Sequence, residues 1–180
     1  MTLPQNYLDA IGPEFTDYVP PTWDVRFMKQ VYLVAESSKD PSTKIGAILV
    51  KDKNVISSGY NGFARNVIDS TERYNDREIK YKFIVHGEAN AILTAARLGI
   101  STINTTLYTQ AIPCNECMKS VIQAGITEIV IHSKWPMSHS KWEESSKISD
   151  LMIKEVGIKV REFNEFLGVK GYVNGRVINV

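Results

Sequence analysis

Apolar residues recur at helical spacing early in this chain and then gather in short β-rich runs. Thr22 can cap a helix, and Pro41 ends that region. The apolar positions of this helix are Trp23, Phe27, Val31 and Val34. Residues 44–50 and 54–59 are rich in β-branched side chains and flank a polar turn. The pattern therefore predicts a helix followed by a β-hairpin.

Helices and strands are predicted to alternate in the second half of the chain. The helices are predicted at residues 86–98, 114–124 and 141–156, and the strands at 105–109, 128–131 and 158–160. The residues expected to face inward are Ala89, Ile92, Leu93 and Ala96, then Cys117, Met118, Val121 and Ile122, and finally Ile148, Leu151 and Met152. This alternation indicates βαβ crossovers, and so an α/β fold whose later strands are parallel and covered on both faces.

Three segments depart from this alternation. Residues 1–21 hold four of the seven prolines, which predicts an extended arm. Residues 62–82 are strongly charged and are predicted to form a long surface loop. An Asn-Gly pair in the tail, residues 167–180, predicts a tight hairpin. The main domain is therefore expected to span residues 22–166.

Composition and charge narrow the class of protein. The 180 residues are 43% hydrophobic and 23% charged, which excludes disordered and fibrous classes. A net charge of +1 argues against binding to nucleic acid or to a membrane surface. The longest apolar runs are far below the roughly 18–20 residues of a membrane helix. We see no secretory signal and expect a cytoplasmic protein.

The candidate chemistry centres on both cysteines and one histidine. Cys114 and Cys117 lie three residues apart at a predicted helix start, where free N–H groups and the helix dipole stabilise thiolates. His86 opens the preceding helix, and the strand between the helices brings both helix starts to one sheet edge. These three side chains can hold a zinc ion and leave its fourth position open, which is typical of a catalytic site. Glu88 then flanks the open position.

Two other interpretations of these residues are weighed. A C-x-x-C pair alone can be a redox pair, but a redox pair does not account for the nearby His86-x-Glu88. A structural zinc site would normally have a fourth protein ligand. The combination H-x-E and P-C-x-x-C is the mark of zinc deaminases.

At these motifs the sequence resembles the zinc-dependent cytidine deaminase superfamily, and within it the deoxycytidylate (dCMP) deaminases. The resemblance extends from about Trp23 to Phe166. The segments that carry it are Ser38-Lys39-Asp40-Pro41, Lys44-Ile45-Gly46-Ala47, Gly59-Tyr60-Asn61-Gly62, His86-Gly87-Glu88-Ala89-Asn90-Ala91-Ile92, Pro113-Cys114-Asn115-Glu116-Cys117 and Ile122-Gln123-Ala124-Gly125-Ile126. Relatives usually have Ala where this chain has Gly87.

The resemblance implies a three-layer α/β/α fold, with a mixed five-stranded sheet and helices on both faces. It implies hydrolysis of dCMP to dUMP and ammonia, one zinc per chain on His86, Cys114 and Cys117, and Glu88 as the proton shuttle. Ser38, Lys39 and Asn61 are expected to contact the phosphate and sugar, and the backbone of Gly87 the pyrimidine carbonyl. Lys44 and Arg65 are weaker candidates for such contacts.

The resemblance also implies regulation. Similar deaminases are typically homohexamers activated by dCTP and inhibited by dTTP, with Mg²⁺ on the triphosphate. The expected effector residues are Gly59, Tyr60, Asn61, Gly62 and Phe63. Two alternatives stay open: a zinc deaminase of a nucleoside, a free base or tRNA, and a non-catalytic zinc-stabilised binding module.

Overall fold

A mixed five-stranded sheet forms the centre of the fold. The computed structural model describes residues 19–136 and 139–180. The arm expected at residues 1–21 therefore lies almost wholly outside the described residues. The helices are α1 (Trp23–Glu36), α2 (Thr71–Asn75), α3 (Arg77–Phe83), α4 (Gly87–Leu98), α5 (Asn115–Gln123) and α6 (His139–Val156). The strands are β1 (Gly46–Lys51), β2 (Asn54–Tyr60), β3 (Gly62–Phe63), β4 (Ile84–Val85), β5 (Thr106–Thr109), β6 (Glu128–His132), β7 (Lys159–Phe163), β8 (Lys170–Val173) and β9 (Arg176–Asn179).

The strand order of the central sheet is β2-β1-β5-β6-β7. β1 pairs antiparallel with β2 and with β5, whereas β5, β6 and β7 are parallel. The predicted hairpin at β1 and β2 and the predicted parallel later strands are confirmed.

Helices cover both faces of this sheet. On one face, α1 buries its apolar side against β1, β5 and β6, through residues such as Met28 and Ile48. On the other face, α4 and α5 pack against the same strands, through residues such as Ala91 and Met118. The predicted three-layer α/β/α architecture is confirmed. No described helix is long and apolar enough to cross a membrane.

Two glycines allow helices to approach the sheet closely. A side chain on Gly46 would overlap the backbone of α1 at Val31, and one on Gly59 would overlap the backbone of α4 at Ala91. The second approach matters most for function, because α4 begins beside His86. The absence of a side chain at Gly59 therefore allows the short distance between α4 and the sheet.

The charged segment at residues 62–82 is not the surface loop that the sequence predicts. It contains α2 and α3, and the side chains of Ser70 and Asp76 cap their first turns. β3 and β4 then pair to close the segment. The sequence pattern misses these helices because they are too short to show a helical spacing of apolar residues and because their capping residues lie within a run of charged residues.

The predicted inward faces of two helices are wrong in part: Ile92 of α4 and Met152 of α6 pack against the core, but other residues predicted to lie inward are exposed. In α4 the buried positions are Glu88, Ala91 and Ala95, whereas Leu93 is 58% exposed. In α6 Leu151 is 57% exposed and Ser149 is fully buried. Small side chains lie inward at these positions because the helices pack closely on their neighbours, and the larger apolar side chains are left outside.

The tail folds onto the α1 face as a two-stranded hairpin, β8 and β9. Its turn is Asn174-Gly175, and both residues have positive φ angles, 50° and 74°. This is the backbone that a two-residue turn between twisted strands requires. Val173 and Val180 are buried in the core beside α1.

Candidate metal centre and active site

His86, Cys114 and Cys117 meet where two helices begin at one end of the sheet. His86 is the N-cap residue of α4, Cys114 is the N-cap residue of α5, and Cys117 lies in the first turn of α5. β5 separates the two helices, so their N-termini emerge side by side as the alternation predicts. Neither His86 nor Cys114 uses its side chain to cap its helix, so both side chains remain available as metal ligands.

The start of α5 is fixed from outside by two serines of α6. Ser145 Oγ accepts a hydrogen bond from the Asn115 backbone N–H at 2.9 Å and donates to Asn115 Oδ1 at 2.8 Å. Ser149 Oγ donates to the carbonyl of Pro113 at 2.9 Å. The turn that carries Cys114 is thereby tied to a second helix.

The spacing of the three side chains fits a zinc ion. His86 Nδ1 lies 3.3 Å from Cys114 Sγ and 3.5 Å from Cys117 Sγ, and all three atoms lie within 4.8 Å of one another. A tetrahedral zinc ion, with Zn–S of about 2.3 Å and Zn–N of about 2.0–2.1 Å, separates such atoms by roughly 3.5 Å. The nitrogen and two sulfurs are also the donor types that zinc prefers. Three protein ligands leave one tetrahedral position for a water molecule or substrate.

The two thiols of this cluster differ in how readily they lose a proton. Hydrogen bonds from Cys117 and His86 lower the pKa of Cys114 to about 4. The hydrogen bond to Cys114 and burial raise the pKa of Cys117. The hydrogen bond to Cys114 also raises the pKa of His86. One thiolate thus forms readily, and metal binding must displace the proton from the second, which makes zinc affinity fall at low pH.

Glu88 is the carboxylate of the site. It lies in the first turn of α4, is 6% exposed and lines the same cavity as His86 and Cys114. Burial raises its pKa above the ordinary glutamate value. A carboxylate whose pKa is displaced toward neutrality is suited to take up and return a proton.

A cavity of about 440 Å³ opens over the metal centre. Its volume is within the range of small-molecule sites. Its wall combines hydroxyl, amide, cationic and aromatic side chains. They include Asp40, Ser42, Thr43, Asn61, Arg77, Lys80, Trp135, Trp142 and Asn174.

The predicted substrate residues divide into two groups. Gly87 and Asn61 line the cavity. Asn61 Oδ1 accepts from the Ile45 N–H at 2.8 Å, so Asn61 also holds the chain beside the site. Ser38 and Lys39 are not among the described residues that line the cavity: Ser38 Oγ donates to the Asn61 carbonyl, and Lys39 pairs with Asp69 at 2.7 Å. Neither lysine candidate, Lys39 or Lys44, lies at the cavity wall, and a direct phosphate contact from either stays a prediction.

The predicted effector segment lies beside the cavity. Gly59 is packed against α4, and Phe63 stacks on Tyr74 with ring centroids 4.2 Å apart. Tyr60 is 42% exposed, whereas Gly62 is buried. An effector role for these residues stays a prediction.

Of three further cavity features, two, Lys80 and Trp142, were not predicted from the sequence. Lys80 is almost fully buried and forms an ion pair with Asp40 at 3.1 Å. Trp142 meets His86 edge-on, with ring centroids 6.1 Å apart. Trp135 is buried beside Tyr32. Lys80 stands in a charged run and so looks solvated in the sequence, whereas Trp142, seven residues before the buried Ser149, could have been found from its helical spacing.

Comparisons with known proteins agree with this site. Residues 21–133 match the cytidine and deoxycytidylate deaminase zinc-binding region. The chain is 35% identical to an uncharacterized deaminase in the luxG 3′ region of Aliivibrio fischeri over 138 residues, which cover 77% of this chain and 91% of that protein. It is 32% identical to the deoxycytidylate deaminase of Mus musculus over 149 residues, 78% of this chain and 79% of that protein.

A solved structure shares the fold. The dCMP deaminase of the cyanophage S-TIM5, in complex with dCMP and dUMP, superposes with a TM-score of 0.61 at 20% identity, covering 81% of this chain and all of that one. The matched family region contains all three candidate zinc ligands and Glu88. The chain belongs to the cytidine and deoxycytidylate deaminase family.

Proposed function

We propose that this chain is a zinc-dependent enzyme that hydrolyses dCMP to dUMP and ammonia. The convergence of His86, Cys114, Cys117 and the buried carboxylate of Glu88 on one nucleotide-sized cavity carries this proposal. Relatives named deoxycytidylate deaminase, at 31–33% identity, support dCMP as the substrate. A purely structural metal site would not need Glu88 beside its open position.

In the proposed reaction, water replaces the exocyclic amine at C4 of cytosine. When bound by His86, Cys114 and Cys117, zinc supplies the Lewis acidity that makes a water molecule nucleophilic near neutral pH. Glu88 takes one proton from that water and delivers it to the ring nitrogen N3, as the water oxygen bonds to C4. A second proton passes to the amine, which leaves as ammonia while C4 becomes a carbonyl. The raised pKa of Glu88 suits both proton uptake and proton return.

Binding and orientation are assigned to the wall of the cavity. We assign the backbone N–H of Gly87 to the pyrimidine carbonyl, and glycine at this position fits tightly. A Cβ there would lie 3.0 Å from the Ile45 carbonyl oxygen. The ring of Trp142, edge-on to His86, covers the metal ligand on the α6 side.

The test is ammonia release from dCMP, deoxycytidine, CMP and cytosine, measured side by side. A charge-assisted hydrogen bond contributes about 1.5–3 kcal/mol, so the phosphate should raise kcat/KM for dCMP at least tenfold over deoxycytidine. Equal kcat/KM for these two substrates would contradict the nucleotide assignment and favour a nucleoside deaminase.

Regulation is a further part of the proposal. We infer a homohexamer in the cytoplasm that dCTP, with Mg²⁺ on its phosphates, activates and that dTTP inhibits. The exposed Tyr60 directly precedes Asn61, which lines the cavity, so a nucleotide bound at Tyr60 lies one residue from the substrate site. A dCMP titration with Mg²⁺ should be sigmoidal, steeper with dTTP and hyperbolic with dCTP. Hyperbolic curves that ignore both triphosphates would contradict this part alone.

A further inference from the structure

The C-terminal hairpin is bonded along the segment 41–44, which enters β1. The backbone N–H of Lys44 donates to the Tyr172 carbonyl at 3.0 Å, and that of Gly175 donates to the Ser42 carbonyl at 2.8 Å. Asn174 N–H donates to Thr43 Oγ1 at 3.3 Å, and the Tyr172 hydroxyl donates to the Pro41 carbonyl at 3.0 Å. The last two bonds each join residues 131 apart in the chain. The hairpin therefore holds the segment 41–44 in place.

The same hairpin reaches the catalytic cavity. Val173 and Asn174 line the cavity that contains His86 and Glu88. In the same strand as Val173, Gly171 packs closely against the ring of Trp135, which lines the cavity as well. Val173 is 8% exposed and belongs to the core, which gives this part of the wall a fixed position.

The position of the hairpin along the cavity indicates which part of a nucleotide it meets. The Ile45 carbonyl lies against Gly87, beside the metal ligand His86. From Ile45 the segment leads to Thr43 and Ser42, up to about 10 Å of extended chain for three residues. Asn174 is hydrogen-bonded to Thr43, which lies two residues before Ile45, the residue of this segment nearest the metal ligand.

The side chains in this part of the cavity suit a sugar and a phosphate. Ser42, Thr43 and Asn174 offer hydroxyl and amide groups, and the same cavity is lined by the cation Arg77 and by the Lys80–Asp40 ion pair. Hydrogen-bond donors beside cationic side chains are the usual partners of a phosphate. The cytosine amine, by contrast, must face Glu88 and the metal ligands.

We propose that the C-terminal hairpin is a wall of the substrate pocket and that Asn174 contacts the 5′-phosphate of the nucleotide. This inference rests on the proposed dCMP deamination and adds a specificity-determining residue to it. Asn174 lies outside residues 21–133, the region that defines the family match.

The test uses Asn174→Gly in the full-length, zinc-loaded enzyme. Glycine keeps the positive φ of the turn while removing the amide side chain. Asn104→Gly is the matched control, because Asn104 also has a positive φ, 58°, and is exposed before β5, at the end of that strand away from the metal centre. Steady-state kcat and KM are measured for dCMP and deoxycytidine, and the thermal midpoint is measured for each variant.

Asn174→Gly should raise KM for dCMP about tenfold with kcat within twofold, and should leave kcat/KM for deoxycytidine within twofold, if the amide meets the phosphate end. Asn104→Gly should leave all of these parameters within twofold. If Asn174→Gly behaves like Asn104→Gly, or if it lowers activity on both substrates equally, the inference is overturned while dCMP deamination stands. If the wild-type enzyme does not deaminate dCMP, the proposed function itself is wrong.

Discussion

Glu88 is the residue on which the proposed proton transfers depend. Replacing it by Gln keeps the shape of the side chain but removes its ability to take up a proton. We expect Glu88→Gln to lower kcat for dCMP at least 100-fold, since general acid–base catalysis contributes about 10²–10⁴ in rate. Zinc content and thermal midpoint should stay near wild type.

The matched control for this variant is Glu116→Gln. Glu116 lies in the neighbouring helix but is 71% exposed; its carboxylate pairs with Lys119 and accepts a hydrogen bond from the Asn115 side chain. It should retain full activity. If Glu88→Gln keeps more than a tenth of wild-type kcat, Glu88 is not the proton shuttle.

Cys117→Ser should lose the metal and stability together. Cys117 is buried and is one of three ligands, so its loss weakens zinc binding and removes the stabilisation that bound zinc gives the folded state. Elemental analysis should give close to one zinc per wild-type chain and far less for the variant, whose thermal midpoint should fall. Two zinc ions per wild-type chain would contradict the ligand assignment.

For single residues, the sequence predicts the metal ligands and the proton shuttle better than it predicts the residues that line the cavity. His86, Glu88 and the two cysteines lie within short motifs at helix starts, so local spacing suffices to bring them together. Asp40 and Lys80 are forty residues apart, and only the folded chain shows that they form a buried pair. Their burial depends on tertiary contacts that no local pattern reports.

The contact between β2 and α4 is the element-scale feature that positions the metal centre. A methyl group at Gly59 would overlap the backbone of α4 at Gly87 and Ala91, which side-chain rearrangement cannot relieve. We expect Gly59→Ala to lower the free energy of unfolding by about 3 kcal/mol, measured by urea denaturation. Zinc affinity should fall as well, because α4 begins at His86.

Gly62→Ala is the control for this substitution. A Cβ at Gly62 would meet its nearest atom at 3.7 Å, an ordinary van der Waals contact. The variant should change the free energy of unfolding by less than about 1 kcal/mol. Equal destabilisation by the two variants would show that the close approach of β2 and α4 is not what Gly59 provides.

Element types were predictable along most of the chain, whereas helix faces were not. The alternation of β5, α5, β6, α6 and β7 follows from apolar spacing and from glycines at helix ends. The predicted face of α4 is right at Ile92 but wrong at Leu93, because spacing favours large apolar residues, whereas the packed surface of the helix carries the small Ala91 and Ala95. Which residues of α4 face the sheet depends on how closely the helix packs on the neighbouring strand, and the sequence of the helix alone does not show this distance.

An ion-pair network ties the first helix to the last strand of the central sheet. Arg161 of β7 binds Asp24 of α1 at 2.7 and 3.1 Å and Glu128 of β6 at 2.7 Å, and the Tyr108 hydroxyl donates to Asp24 at 2.6 Å. The hydrogen bond from Arg161 lowers the pKa of Asp24. Partial burial would raise the pKa of Glu128, but hydrogen bonds from Arg161 and Lys159 outweigh it and lower that pKa.

This network should make the protein sensitive to acid. The two carboxyl groups bind protons more weakly in the folded state, so their stabilisation is complete above their unfolded pKa of about 4 and is lost as pH falls through the folded values. Because the side chains of Arg161 and Asp24 are about one-third exposed, solvent screening limits this contribution to about 1 kcal/mol. Arg161→Met should therefore be less stable than wild type at pH 7, and the difference should narrow as the pH falls below about 4.

Urea denaturation at a series of pH values measures this difference. Lys147→Met is the control, because Lys147 and Glu143 form an exposed pair within one helix, 73% and 61% exposed. Its stability curve should parallel that of wild type at every pH. A gap between Arg161→Met and wild type that persists unchanged at pH 3 would contradict an electrostatic role for the network.

The wall that Val173 and Asn174 contribute to the cavity has a consequence for how such enzymes diversify. The metal centre lies within residues 21–133, whereas these two residues belong to the last eight of the chain. Mutations in the tail can therefore alter what enters the cavity while the reacting groups stay untouched. Lineages that share the same catalytic motifs can accordingly drift apart in substrate choice through their C-termini, and exchanging tails between relatives offers a direct way to redesign selectivity.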